Sequence, residues 1–398
     1  MNDSVEYSSR RSPVVGSKAG ASTDQPLASA AAIEVLQKGG NAADAAVAAA
    51  AVLQVLQPFA SGIGGDCFCI FYKAADKSVQ SIDGRLYKCS YVIFFLRAFL
   101  KQMLMIPLFT SLEWVNGYDK TSGEYFHLLM EALRLAIADG LRCLSSPDPS
   151  SLTSVDQMTC KKHAEDRRAL IDKTRAMNEV VAADLLVPPQ SHTTFLSTVD
   201  EHGNACSFIG SNFNTFGCTI VEQHGFAVHN RAMGFVGVEG HPNCIGPLKK
   251  PYHTLMPVMV ADSYSGVWVA NIGSMGGYLQ PQIVLQVLLG MMELGLNPQE
   301  AVDRPRVTIG SGTSVHPDAG LTLEEGLSPE VIQGLEEKSH RFRGTIRGVN
   351  RRNMGSVHVT TRGSWWTRVR GPGSYAEGDD VFLWFGSDPR WDGAAMAY

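Results

Sequence analysis

The chain has 398 residues, 44% of them hydrophobic, and a formal net charge of -5, which is enough apolar material for one large or two ordinary domains with a real core. Its charges are spread without long acidic or basic runs, which excludes an electrostatic footprint for nucleic acid or an anionic membrane. The eight cysteines show no CxxC pair and no regular histidine spacing, so neither a metal site nor a dense disulfide scaffold is expected, and the thiols read as reduced.

In chain order, the N-terminal MNDSVEYSSRRSPVVGSKAG is polar and lacks the apolar stretch of a secretory signal, which points to a cytoplasmic location. Residues 26 to 38 (PLASAAAIEVLQK) carry apolar positions at helical spacing and stop at Gly39 and Gly40. Asn41 then caps a second, alanine-rich helix that ends before Pro58, and so much alanine implies close packing in a core. ASGIGGDCFCIFY reads as a glycine turn running into a strand, and VQSIDGR as a second strand. Tyr91 to Phe109 is apolar and about as long as a bilayer span, but Arg97, Lys101 and Gln102 interrupt it. Charges in mid-span cost about 2.5 to 3.5 kcal/mol each, so a buried helix is preferred there to a membrane span.

Residues 124 to 139 (EYFHLLMEALRLAIAD) form an amphipathic helix, and Ala164 to Ala183 continues helical until Pro188 and Pro189 break the pattern. From Thr193 the period changes to strands: TTFLSTVD, a turn at EHGN, NACSFIG, and later VWVANIG. Two further helices follow, one from about Gln280 to Leu294 and one opened by Asn297 and Pro298. Helices first, strands in the middle and helices again suggest helices layered on sheet.

GIGGD (Gly62 to Asp66) precedes a strand, whereas a phosphate cradle follows a strand and opens a helix, so it reads as a structural turn. His192, His224, His229, His241 and His253 have no metal-ligand spacing and no GxSxG partner, which gives no support to a Ser/His/Asp hydrolase. The threonine doublet after VPPQSH is different. A threonine hydroxyl needs a base against it to act as a nucleophile, and the α-amino group of an N-terminal threonine is one, with a pKa of about 7.7 to 8.0. An internal threonine gains that amine only if the chain is cut just before it. A breaker followed by Thr at the mouth of a strand has that form, although threonine is common in strands for structural reasons alone.

SHTTFLSTVDEHGNACSF resembles the cleavage and nucleophile region of the γ-glutamyltransferase family of self-cleaving N-terminal-nucleophile hydrolases. GGNAADAAVAAAAVLQVLQPFASGIGGDCFCIFY, IDGR and HLLMEALRLAIADG resemble that family's large-subunit motifs. FAVHNRAMGF, KKPYHTLMP, GSMGGYLQPQ and GSDPRWDGAA follow in family order. The resemblance implies an αββα four-layer sandwich with a large segment at residues 1–192 and a small one at 193–398, cut between His192 and Thr193. It implies that Thr193 is the nucleophile, Thr194 its structural neighbour and Ser211 a supporting hydroxyl. Gly276 and Gly277 then supply the backbone N–H groups of an oxyanion hole, and Arg85 clamps the donor's carboxylate. The activity implied is γ-glutamyl transfer or hydrolysis, on glutathione or other γ-glutamyl amides, with no cofactor and no metal. The two fragments remain associated after cleavage.

Two departures qualify that picture. Where the family holds the donor's α-amino group with an Asn, a Gln or Glu, and an Asp, the matching positions here are Phe213, Arg231 and Gly234, and the usual serine pair is His253 and Thr254. A positive Arg231 would repel an ammonium, so an amidase of the same fold acting on other acyl amides is the alternative, as in cephalosporin-acylase-like relatives that carry HNR and PYHT. The second departure is residues 86–123, which are shorter than the family's region and atypical; they raise the further alternative of an uncleaved, non-catalytic relative.

Overall fold

The computed structural model describes residues 10–84, 117–143, 160–180, 192–247, 249–310, 316–364, 366 and 382–398. Arg85, the apolar run Tyr91 to Phe109 and most of the atypical stretch 86–123 lie outside the described residues.

Strands β1 (Val14–Gly16) and β2 (Gly20–Thr23) precede the helix pair α1 (Pro26–Gln37) and α2 (Ala42–Leu56). Pro26 sits in the first turn of α1, where its missing N–H costs nothing. The side-chain oxygen of Asn41 accepts from the Ala43 and Asp44 N–H groups while Asp44 accepts from the Asn41 N–H, a reciprocal cap that fixes where α2 begins. Ala28, Ala32, Ala42, Ala45 and Ala49 are wholly buried, so small side chains let the two helices lie close to each other and to the sheet beneath, as the composition predicted.

Next come β3 (Asp66–Lys73), β4 (Ser78–Asp83), and helices α3 (Gly123–Cys143) and α4 (Lys161–Arg168). The threonine doublet lies in β5 (His192–Val199), which turns at Glu201–Asn204 into β6 (Ala205–Phe213). A small hairpin of β7 (Thr219–Val221) and β8 (Phe226–Val228) leads to β9 (Val258–Ala261) and β10 (Trp268–Met275). Then follow α5 (Gln280–Leu294), α6 (Pro298–Asp303), β11 (Val307–Ile309), β12 (Leu321–Glu324), α7 (Pro329–Glu337) and β13 (Phe342–Ile346). Strands β14 (Ser356–Arg362), β15 (Leu383–Ser387) and β16 (Ala394–Ala397) close the chain.

Two antiparallel sheets stack face to face, one ordered β16-β2-β5-β6-β3-β4 and the other β1-β15-β14-β10-β9. Between them Phe68, Ile70, Phe195, Ile209 and Leu255 form one apolar cluster, and Tyr72, Val199, Trp268, Leu383 and Phe385 another. Helices α1 and α2 cover the outer face of the first sheet. On the second, Ile283, Val284, Val287 and Val302 of α5 and α6 pack on Ile272, Val357 and Val359. The order is therefore helix, sheet, sheet, helix, the four-layer αββα sandwich. Each fully buried Leu, Ile or Phe contributes about 1.5–3 kcal/mol, so the inter-sheet clusters hold the strand that carries Thr193 rigidly.

The expected amphipathic helix is α3, and its polar side is covered as well as its apolar one: Tyr125, Leu128, Leu129, Leu133 and Leu135 are buried together with Glu131 and Arg134, because α7 and strands β11 and β12 pack on it. Its charged pair meets at 2.8 Å, and Arg134 also pairs with Asp318, which is what makes charge tolerable there. The helix from Ala164 ends at Arg168 rather than running to Ala183. Beyond it the backbone N–H groups of Met177 and Val180 donate to the carboxylates of Glu131 and Asp318, and Ala176 N–H to the Lys338 carbonyl. Tertiary acceptors replace the helical ones.

Candidate active site

Strand alternation divides the threonine doublet. Thr194 faces the helix layer and its Oγ1 donates to Ser61 Oγ at 3.0 Å, while Thr198, on the same face, donates to the Ala42 carbonyl at 2.6 Å. Thr193 faces the second sheet with Phe195 and Ser197. Between His192 and Thr194 the register with β6 slips, from Phe213 opposite His192 to Gly210 opposite Thr194, so that Ser211 and Asn212 lie across from Thr193.

That slip places Ser211 against the peptide bond that precedes Thr193. Thr193 Oγ1 donates to Ser211 Oγ at 3.4 Å, and Ser211 Oγ donates to the His192 carbonyl at 2.7 Å. Two further groups fix the direction of this chain. Phe213 N–H donates to Ser211 Oγ at 2.8 Å, and Gln280 Nε2 donates to Thr193 Oγ1 at 3.4 Å while its Oε1 accepts from Met256 N–H. Phe213 holds a left-handed backbone, φ 71°, which costs a residue with a side chain about 1–3 kcal/mol and turns its N–H back toward Ser211. All of Thr193, Ser211 and Gln280 are buried.

Asp24 pins the strand just beyond. Its Oδ2 accepts from Phe195 N–H at 2.6 Å, and its Oδ1 meets His358 Nε2 at 2.9 Å, with Ser22 Oγ 3.0 Å from His358 Nδ1. These are the residue types of a hydrolytic triad, yet all three are fully buried, and the carboxylate is spent on the backbone of β5. They hold Thr193's strand in place.

Gly276 and Gly277 form the corner between β10 and the short turn Gly277–Leu279 that enters α5 at Gln280. Gly276 has φ 130° and Gly277 φ 57°, conformations that suit glycine. A Cβ on Gly276 would also come within 3.2 Å of Gly355 Cα. The glycine pair thus lies in the same turn that carries Gln280 to Thr193.

Arg231, His253 and Thr254 meet around a residue that sequence reasoning passed over. Asp66 opens β3 directly opposite Ser211, on the same face. Arg231 donates to it twice, Nε to Oδ2 at 2.7 Å and Nη2 to Oδ1 at 3.1 Å, and its Nη1 donates to Thr254 Oγ1 at 3.0 Å. The guanidinium also lies over the Phe213 ring, 4.2 Å from its centre. His253 Nδ1 accepts from Leu255 N–H at 3.2 Å, so its proton is on Nε2, which meets Asp66 Oδ2 at 2.8 Å. Burial alone would raise the Asp66 pKa, but Arg231 and His253 together hold it well below the usual carboxylate range.

Arg231 is therefore not the isolated positive charge on which the expected repulsion of an ammonium rests. A carboxylate 165 residues away in sequence neutralises it. Asp66 was legible in principle, because Phe68, Ile70 and Tyr72 on its face of β3 are all apolar and buried, which makes a carboxylate at the head of that series an outlier. The glycines before it do form a turn, with Gly65 N–H donating to the Gly62 carbonyl at 2.9 Å. Gln280 was also missed, being one glutamine at the start of a proline-opened helix.

His192 meets Phe59 edge to face at 5.2 Å, and burial pushes its pKa down, so it is neutral at neutral pH. Among the described residues no group of three His, Cys, Asp or Glu is placed to hold a metal ion, and no helix is long and apolar enough to cross a membrane.

Comparison with known proteins adds to this geometry. The family model described as gamma-glutamyltranspeptidase matches residues 28–87 and 99–398, leaving 88–98 between its two stretches. The glutathione hydrolase-like YwrD proenzyme of Bacillus subtilis is 29% identical over 292 residues, 72% of this chain and 50% of that protein. The acylase ACY 1 proenzyme of a Pseudomonas species is 28% identical over 234 residues, 57% of this chain and 40% of that protein. The chain thus spans about half the length of the curated relatives it matches or less. Cephalosporin acylase from Bacillus halodurans superposes with a TM-score of 0.77 over 100% of this chain and 99% of that one, at 20% identity, a likeness of fold.

Proposed function

The chain belongs to the gamma-glutamyltranspeptidase family, and from that membership we propose that it is a self-cleaving amide hydrolase whose nucleophile is Thr193 and whose donor is an acyl amide without an α-ammonium group. The observation that carries the reading is the hydrogen-bond chain from Gln280 through Thr193 and Ser211 to the His192 carbonyl. It addresses a reactive hydroxyl, a proton acceptor and a polarised carbonyl to one peptide bond.

In the cut, Thr193 Oγ1 attacks the His192 carbonyl carbon. Its proton passes to Ser211, whose own proton moves to the carbonyl oxygen as that oxygen gains charge. Collapse of the tetrahedral species breaks the peptide bond, the nitrogen of Thr193 takes up the proton, and His192 is left as an ester on Oγ1. Water hydrolyses the ester and frees both the amine and the hydroxyl. In turnover the amine, with an ordinary pKa of about 7.7 to 8.0, takes the hydroxyl proton as Oγ1 attacks the donor, and the Gly276 and Gly277 N–H groups receive the oxyanion. The donor's amine departs with the proton, and water or an amino acceptor resolves the acyl-enzyme.

Donor choice rests on the Asp66 cluster. Its carboxylate is fully committed to Arg231 and His253, and Phe213 and Gly234 bring no side-chain acceptor, so an incoming ammonium finds a neutral wall with no counter-ion. An acyl chain without that charge has nothing to lose there. A γ-glutamyl amide such as glutathione remains the second reading, favoured by the similarity to a glutathione hydrolase-like protein.

The two readings separate on glutaryl and γ-glutamyl p-nitroanilides, which differ in the α-amino group alone. Faster release of p-nitroaniline from the glutaryl compound, abolished in Thr193→Ala, is the expected result. A preference for the γ-glutamyl compound would overturn the donor assignment while leaving the nucleophile standing.

A further inference from the structure

Cys69 of β3 and Cys206 of β6 bring their sulfur atoms to 3.4 Å, with no bond between them. The register explains the contact: Cys69 pairs with Phe208 and Phe71 with Cys206, so the cysteines are diagonal neighbours on one face of an antiparallel ladder, within reach of each other's side chains. That face is the outer one, beneath α1 and α2, opposite the face that carries Asp66 and Ser211. Cys206 is buried, whereas Cys69 is half-buried.

We propose that Cys69 and Cys206 form a reversible disulfide that staples the two segments of the protein together. Cys69 lies in residues 1–192 and Cys206 in residues 193–398, so after a cut at Thr193 the bond would join two separate chains. This consequence rests on the self-cleavage reading; the disulfide itself does not.

The chemistry needs an oxidant, and a low-molecular-weight disulfide supplies it. Cys69, the more exposed of the two, attacks one sulfur of the small disulfide as the thiolate and releases one small thiol. Cys206 then loses its proton and attacks Cys69 Sγ in the mixed disulfide, releasing the second small thiol. Two protein thiols are oxidised to one disulfide, and one small disulfide is reduced to two thiols. The hydrogen bond between the sulfurs favours this order, since accepting it from Cys206 eases ionisation of Cys69 while burial and the same bond hold Cys206 protonated. The sulfurs must approach from 3.4 Å to a bond length of about 2.05 Å, which for diagonal neighbours takes side-chain rotation together with a local shift of the two strands.

The functional consequence follows from the strands involved. Cys69 lies three residues after Asp66, and Cys206 five before Ser211. A bond there ties the strand bearing the donor wall to the strand bearing the Ser211 relay. Oxidising conditions would then protect the cut protein from losing one segment, and reducing conditions would release the tie.

The test uses the purified full chain, incubated natively with bis(2-hydroxyethyl) disulfide, which offers no amide to the active site, or with dithiothreitol, and quenched with N-ethylmaleimide. Peptide mass mapping under non-reducing conditions is expected to find a Cys69–Cys206 linked peptide in the oxidised sample alone, lost in both Cys69→Ser and Cys206→Ser. Cut protein is further expected to migrate as one band without reductant and as two with it. Alkylation of both cysteines after oxidation, or a stable mixed disulfide at Cys69 with Cys206 alkylated, would overturn the proposal. Should the chain be uncut, the gels show one band in either lane, but the peptide map still reads the disulfide, so the two ideas fail separately.

Discussion

Two halves of the site are built to different standards. Around Asp66 the contacts are short and charged, Arg231 donating at 2.7 and 3.1 Å and His253 at 2.8 Å, and the residues are sealed from water. Around Thr193 they are neutral and two are long, both at 3.4 Å. The difference matches the chemistry that the proposed function asks of each half. A wall proposed to set donor choice gains from rigidity, and charged pairing supplies it. A hydroxyl proposed to swing from hydrogen-bond donor to attacking oxygen gains from partners that direct it without holding it tightly.

Changes on the charged side are expected to damage folding most. Asp66→Asn leaves Arg231 buried without a counter-ion, a change of the kind that costs about 3–5 kcal/mol. Denaturant unfolding in a Thr193→Ala background reads it without interference from the cut. A loss under 1 kcal/mol would mean that the pair is not the lock described. On the neutral side the damage falls on rate. Ser211→Ala removes the donor to the His192 carbonyl and leaves the buried Phe213 N–H without its acceptor, so it should slow appearance of the small segment about 10²- to 10³-fold at a cost of about 1–3 kcal/mol in stability, and Ser211→Thr should restore most of the rate.

The halves also differ in their response to pH. The Asp66 pKa is depressed from its ordinary 3.8, so its contribution to stability is complete above about that pH and is lost as pH falls further. It therefore does not titrate between pH 5 and 9. The amine that the proposed cut would free from Thr193 should, its pKa being lowered by burial from the ordinary value of about 7.7 to 8.0, and kcat/KM should fall about tenfold per pH unit on the acid side of it. A profile with no acid limb down to about pH 5 would take the amine out of the mechanism. The smallest expected effect comes from the neighbouring threonine. Thr194→Val loses the bond to Ser61 and should cost about 1 kcal/mol with the cut intact, whereas Thr193→Val should abolish it.

How much of this was readable in the chain itself varied with distance along it. TTFLSTVD, EHGN and NACSFIG announced β5, the turn and β6, because strand alternation is local and the sheet honours it. Asn41 and Pro298 marked helix starts that the structure uses in the way their chemistry allows. What could not be read was whatever depends on partners far away. Helix α4 ends at Arg168, and further along the N–H groups of Met177 and Val180 donate to the carboxylates of Glu131 and Asp318 rather than to helical carbonyls. The pairing of Arg231 was not legible because its partner Asp66 lies 165 residues away in sequence. Gln280 and Asp66 reach their places through a helix and a strand that the fold delivers to Thr193 from opposite sides. The resemblance supplied the proposed nucleophile and glycine pair; the fold supplied the residues packed around them.

The central claim is that the peptide bond between His192 and Thr193 is cut by the Thr193 side chain. Intact mass and N-terminal sequencing of the purified protein test it directly. The expected result is a fragment that begins Thr-Thr-Phe-Leu-Ser and has the mass of residues 193–398, present in the wild type and missing from Thr193→Ala. An uncut wild-type chain, or one cut equally well in Thr193→Ala, would contradict it.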